Sequence, residues 1–470
     1  MRFVGAIVAV LALLLGPPAA GSARTLKSRL DAALDVPALR GAGIGALVTD
    51  RDGQVLYERS PDRALIPASN QKILTAVAAL EVLGPTHRFT TEILVDSGPD
   101  AEGAVDTLYV RGAGDASLTS EDFWRLAADL RRAGLRSVRT GVVVDDSAFD
   151  AQRWHPSWGQ TGARAYHAPV GALTVNYGAF AVTVEPQGPV GSAVRAVVDP
   201  PIDFLSLTNR ARTGATRARS TLVVDRREAA GYEEVIVRGE LPAGLPVKTI
   251  HRSVLDPALY AGAVLTAQLR AVGVSVGAGL RRGTVPETAS LLLGFEGSPL
   301  SDVVQSFLKY SNNQIGESLV KTLGARASGG VGSWENGAVA VRATLTAIGL
   351  PTQGLVWVDG SGLSYENRVT ARLLVAALAA ARKSFRFGPE FESALPIAFS
   401  DGTLEKRADG AQGRVRAKTG LLTRVTSLSG YAERADGERV LFAVITNGFR
   451  RSAEEAMDAL DGFAAALVGP

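Results

Sequence analysis

The chain has 470 residues, 46% of them hydrophobic, enough to bury a large core divided among about two to four domains. Its formal charge of +3, from 50 basic and 47 acidic residues, is near balance, and no cluster of five or six basic residues occurs, so a nucleic-acid partner is excluded. The absence of cysteine excludes disulfides, thiol catalysis and a lipidated N-terminal cysteine.

Residues 1–23 read as a secretory signal: Met1-Arg2, an apolar run from Phe3 to Leu15, then Pro17-Pro18 and small residues up to Ala23. Cleavage is expected after Ala23, with Ala20 as the other choice. An exported chain of this size without disulfides fits a bacterial periplasm or cell wall space. No later segment has 18 uncharged apolar residues, so no membrane span is expected in the mature chain. Leu26 to Leu34 is a short amphipathic helix, and the strands Ile44–Asp50 and Gln54–Glu58 are joined by the turn Arg51-Asp52-Gly53. The preceding Gly41 to Ala46 is glycine-rich, but it enters a hairpin and not a helix, so it is no dinucleotide loop.

Pro67 and Ser69 mark the start of a helix. Ile73, Leu74, Val77, Leu80 and Leu83 recur at helical spacing until Gly84-Pro85 stops it. The pattern then changes to short strands, Thr90–Val95, Thr107–Arg111 and Gly141–Val144, around one helix from Ser120 to Gly134. Residues 86–183 and 249–289 are expected to form a second domain, with a third, 184–248, nested inside it around the β-like runs Ser220–Val224 and Glu234–Val237. Helical spacing returns through Val303–Leu323, Trp334–Ile348 and Thr370–Lys383. Three strands follow, Val415–Gly420, Leu428–Ala432 and Val440–Ile445, and a last helix spans Ser452–Leu467. With a hairpin first and antiparallel strands last, the two ends (24–85 and 290–470) can share one sheet, an α+β domain built from both termini.

Three short motifs carry the chemistry. Ser69-Asn70-Gln71-Lys72 opens a long helix, so hydroxyl and amine lie on one face, and a serine beside a neutral lysine is a nucleophile with its own base. Ser306…Lys309 and Ser318…Lys321 repeat the spacing inside a helix-like stretch and read as packing or surface pairs. Ser311-Asn312-Asn313 can relay a proton through Ser311 and hold Lys72 and a substrate amide through Asn313. Lys418-Thr419-Gly420 offers a cation and a hydroxyl for a substrate carboxylate, and the N–H of Leu421 can join that of Ser69 as an oxyanion hole. The pKa of Lys72 is expected to fall through burial and the nearby charge of Lys418. Asp359-Gly360-Ser361-Gly362 reads as a turn. His87, His155, His167 and His251 are scattered, and neither a metal nor a cofactor is expected.

In this order, and together with Gly112-Ala113-Gly114-Asp115, Val144 to Phe149, Tyr166 to Leu173, Asp359 to Ser364 and Asp401-Gly402-Thr403-Leu404, these motifs resemble the penicillin-binding protein 4 type of D-alanyl-D-alanine carboxypeptidase and endopeptidase, peptidase family S13, over nearly the whole mature chain. The 242 positions between Ser69 and Ser311 match that family's two inserted domains. The resemblance implies a penicillin-binding/β-lactamase-like transpeptidase domain, an antiparallel sheet with helices on both faces. It implies acylation of Ser69 by peptidoglycan peptides ending in D-Ala-D-Ala, hydrolysis of the ester by water, and covalent inhibition by β-lactam antibiotics. It also implies that an aspartate of the inserted domain, Asp145 or its neighbour Asp146, binds the amino end of a diaminopimelate side chain. Leu421 departs from the threonine frequent in relatives, which can cost a side-chain contact. A β-lactamase is the enzymatic alternative, but the chain lacks its Glu-x-x-Leu-Asn motif; a non-catalytic penicillin-binding wall protein is the other.

Overall fold

In the computed structural model, which describes residues 25–469, the two ends of the chain meet in one five-stranded antiparallel sheet. The signal expected in residues 1–23 lies outside the described residues. The strand order is Val415–Leu422, Val425–Glu433, Arg439–Asn447, Gly43–Asp50, Val55–Arg59. Gly43 pairs with Asn447 and Asp50 with Val440, so the first strand of the chain lies against its last. Alternate side chains point to opposite faces. Leu47, Ala443 and Ile445 pack on one side with the helices Gln71–Leu83 and Ala371–Lys383; Ala46, Val48, Phe442 and Val444 pack on the other with Leu26–Leu34 and Ala453–Val468. Burial of both faces explains why the runs 44–48 and 440–445 are apolar and do not alternate. Each buried large side chain contributes about 1.5–3 kcal/mol. The fold is α+β, with helices on both faces of the sheet.

The Gln71–Leu83 helix is the centre of the larger layer, buried continuously from Gln71 to Leu80. It ends at Gly84, whose φ of +86° a residue with a side chain rarely adopts.

Between the two halves lie further sheets. One has the order Ser275–Val276, Ser137–Asp145, Ala104–Arg111, Thr90–Val95, Ser290–Glu296, with Gly279–Arg282 also on Ser137–Asp145. The return point expected at residue 290 is therefore corrected: Ser290–Glu296 pairs with Thr90–Val95 of the inserted sheet. The pairing of Lys248–Ser253 with Ala179–Glu185 likewise runs beyond both limits expected for the nested unit, 184 and 248. The strand expected from Ser220 begins at Val223.

The helical spacing read through Val303–Leu323 covers two helices, Leu300–Lys309 and Asn313–Ser328. The break has a local cause. The Asn312 side chain accepts from Ile315 N and starts a second helix, and Ser311 between them has φ +57°. Helical periodicity runs through the corner, so hydrophobic spacing alone does not reveal it.

Candidate active site

Pro67 leads into a 3-10 turn, Ala68–Asn70, that carries Ser69 and continues directly into the Gln71–Leu83 helix. Lys72, in the first α-helical turn, has its Nζ 2.9 Å from Ser69 Oγ. Two carbonyl oxygens complete its surroundings, Asn313 Oδ1 at 2.8 Å and Ser361 O at 2.6 Å. The amine is fully buried, and burial pushes its pKa down to about 7 against the opposing pull of Glu317 and Asp359. Contrary to expectation, Lys418 is not among the causes acting on Lys72. The influence runs the other way: burial, Lys72 and Arg407 hold Lys418 well below the usual lysine value.

The corner between the two helices brings the second motif to this point. Ser311 occupies the left-handed region, a strain of about 1–2 kcal/mol, and Asn313 follows as the first residue of the next helix. Asn313 bridges two parts of the chain: Oδ1 accepts from Lys72, and Nδ2 donates to Tyr166 O at 3.0 Å, so its donor is engaged within the protein.

The third motif lies on the edge strand Val415–Leu422. Ala417 N–H points away from the sheet, to Pro396 O at 2.9 Å. Period-two alternation puts the N–H groups of Thr419 and Leu421 on the same outer edge. Lys418 is fully buried and donates to Thr419 O at 2.9 Å, while Thr419 Oγ1 donates to Thr403 Oγ1 at 2.7 Å. Gly420 passes the turn that bears Ser69 so closely that a Cβ there would lie 2.9 Å from Pro67 O and 3.1 Å from Ala68 Cβ.

Ser69, Ser311, Asn313 and Leu421 line a common cleft of about 450 Å³, joined by Trp158 and Tyr166 from the inserted region. Lys72 is buried behind Ser69, and Lys418, Thr419 and Gly420 belong to the bordering strand.

Asp145 is the exception and a correction. It is 2% exposed, and its oxygens accept from Ser147 N at 3.0 Å and Val285 N at 2.8 Å, so it ties two stretches of backbone together and lies outside the cleft. Asp146 is paired with Arg153 at 2.6 Å and Arg282 at 2.8 Å. No carboxylate is among the described residues that line the cleft.

Sequence reasoning missed Trp158, Tyr166 and Glu317. Glu317 carried a signal: four residues after Asn313 on a helix, it shares that residue's face. Tyr166 opened one of the segments that carry the resemblance but was given no role, and Trp158 had no signal, because its position depends on long-range packing.

Residues 26–467 match the model of the D-Ala-D-Ala carboxypeptidase 3 (S13) family. The chain is 39% identical over 440 residues to a D-alanyl-D-alanine carboxypeptidase of Actinomadura sp. (strain R39), covering 90% of this chain and 81% of that one. The crystal structure of penicillin binding protein 4 from Haemophilus influenzae superposes with a TM-score of 0.80 at 25% identity, over 93% of this chain and 98% of that one. The same Haemophilus protein complexed with a β-lactam gives a TM-score of 0.74 at 24% identity, over 93% and 98%. With its family matched along nearly its whole described length, the chain belongs to the S13 family and is a serine-type D-Ala-D-Ala carboxypeptidase of the penicillin-binding protein 4 type.

Proposed function

We propose that Ser69 is the nucleophile and Lys72 its base in a two-step cleavage of peptidoglycan stem peptides. One observation carries this reading. A neutral amine has two N–H groups and one lone pair. Of the three oxygens around Lys72, those of Asn313 and Ser361 are carbonyl oxygens that can only accept, so they take the two N–H groups. The lone pair is left facing the Ser69 hydroxyl, 2.9 Å away.

In the first step Ser69 Oγ bonds to the carbonyl carbon of the penultimate D-alanine, and its proton passes to Lys72. The N–H groups of Ser69 and Leu421 stabilise the oxyanion. The C–N bond then breaks, and a proton returns through Ser311 to the leaving nitrogen. Water hydrolyses the ester and frees Ser69. Lys418 and Thr419 hold the substrate carboxylate. When the leaving amine belongs to a neighbouring stem, the same step opens a cross-link, so endopeptidase activity needs no second site. A β-lactam acylates Ser69 in the same way, but its leaving nitrogen stays tethered after ring opening. The apolar run Phe3–Leu15 supports action in the periplasm or cell wall space.

The purified protein, incubated with a fluorescent penicillin and digested, is expected to carry the label on the peptide containing Ser69, and to release D-alanine from peptidoglycan. Label on any other residue, or no label, would overturn the assignment. Asp145 is expected to matter differently. Asp145→Asn turns an NH2 towards Ser147 N or Val285 N and should cost about 1–3 kcal/mol in denaturant unfolding, with KM for a stem peptide unchanged.

A further inference from the structure

Behind Lys72 lies a second buried layer that the proposed mechanism has not used. Glu317 is fully buried on the Asn313–Ser328 helix. Its Oε1 accepts from Ser361 N at 2.7 Å, and its Oε2 accepts from Gly360 N at 3.0 Å and Trp334 Nε1 at 2.8 Å. All three partners are N–H donors, the pattern of a carboxylate.

These bonds fix a short loop from both sides. Thr75 Oγ1, on the helix that bears Lys72, donates to Gly360 O at 2.7 Å. Gly360 meets the Asn313–Ser328 helix so closely that a Cβ would lie 2.5 Å from Gly316 O. Asp359, also fully buried, accepts from Gly362 N, Ser364 N, Asn367 Nδ2 and Trp158 Nε1 at 2.7–2.8 Å. The product of this arrangement is one exposed valence inside the protein, the Ser361 carbonyl aimed at Lys72.

We propose that Glu317 is a positioning residue for the reaction: it holds the Gly360–Ser361 backbone so that the Ser361 carbonyl takes one N–H of Lys72 and leaves the lone pair on Ser69. The inference rests on the reading of Ser69 and Lys72 as nucleophile and base. Asn313, one turn before Glu317 on the same helix, supplies the other acceptor, so a single rigid element sets both N–H directions. Without the Ser361 contact the amine can rotate and present an N–H to Ser69.

Glu317 also acts by charge. The groups facing it are Lys72 from the central helix, Asp359 from the loop and Lys321 from the next turn of its own helix; His155 lies against Trp334, and Lys418 flanks Lys72 on the far side. Burial and Asp359 push the Glu317 carboxyl up to about 7, and the Glu317 charge in turn raises the Lys72 amine against its burial. An anion at Glu317 favours the protonated amine. Its removal lowers the pH at which Lys72 becomes neutral.

The test is the acylation rate of the full chain by a fluorescent penicillin, followed against pH. Glu317→Gln places an NH2 among N–H donors and is expected to lower the plateau rate by about 100-fold, with the midpoint of the acid limb moved to lower pH. A purely structural role would lower the folded fraction and leave that midpoint in place. Thr75→Val removes the bond on the opposite side of the loop without changing charge, and should lower the plateau with the midpoint unmoved; it decides the matter if Glu317→Gln does not fold. Wild-type rate and midpoint in Glu317→Gln, or a wild-type plateau in Thr75→Val, would overturn the inference and leave Ser69 and Lys72 standing. A wild-type protein that takes no penicillin would overturn the underlying assignment instead.

Discussion

Lys72→Met is expected to slow penicillin acylation by about 10²–10⁴-fold, the range for loss of a general base, and to change stability by an amount that depends on pH. Methionine fills a similar volume without an amine, so the helix and its buried neighbours keep their packing. Ser69 keeps its hydroxyl but loses the acceptor 2.9 Å away. Asn313 Oδ1 and Ser361 O lose their donor, at a cost of about 1–3 kcal/mol each, and the depressed pKa makes the remaining difference depend on pH. In the unfolded chain the amine is protonated up to its ordinary value of 10.5, whereas in the fold burial makes it neutral above about 7. Between those values the unfolded state binds more protons, so stability rises with pH across that window. The cost of burying the amine is absent above it and complete below it. The variant lacks this term, so its thermal stability relative to the wild type should be most favourable below about pH 7 and decline towards pH 10.5. In the wild-type protein acylation should rise through about pH 7 as Lys72 becomes neutral. An acylation rate that falls through that pH, or a Lys72→Met protein that acylates at the wild-type rate, would remove Lys72 from the role of base.

The sequence announced this site through residue type and order, because a lysine three residues after a serine, in an otherwise nearly uncharged helix that must be buried, has little to do there except chemistry. The two-ended sheet was legible from the order of elements: a hairpin first and antiparallel strands last can share one sheet, and the helices between and after them cover its faces. What the sequence hid depends on contacts between distant residues. Ser311 sits at a corner that helical spacing runs straight through, and the corner is set by one Asn312 side chain capping the second helix. Asp145 follows a strand and looked available, yet its oxygens are occupied by backbone from Ser147 and Val285. Asp359-Gly360-Ser361-Gly362 is the turn that its residue types suggest. That its Ser361 carbonyl reaches Lys72 could not be read from residues 289 positions away.

Gly420→Ala tests the last of the three motifs, and its effect should fall on catalysis more than on folding. The added methyl would overlap Ser427 Oγ and press on Pro67 O and Ala68 Cβ. Ser427 cannot turn aside freely, since its hydroxyl donates to Pro67 O at 2.6 Å and accepts from Asn70 Nδ2. The strand must therefore move away from the turn that carries Ser69. Overpacking of this kind costs about 1–3 kcal/mol, which a sheet edge can absorb by shifting. That same shift separates the N–H of Leu421 from the N–H of Ser69, and losing one donor to an oxyanion costs about 10²–10³-fold in rate. Thermal unfolding and penicillin acylation measured side by side should show a modest loss in the first and the larger loss in the second. Adding Ser427→Ala to Gly420→Ala makes room for the methyl and should recover part of the rate. If Gly420→Ala acylates as fast as the wild type, the close passage of this strand is a matter of packing alone and the oxyanion donor must lie elsewhere.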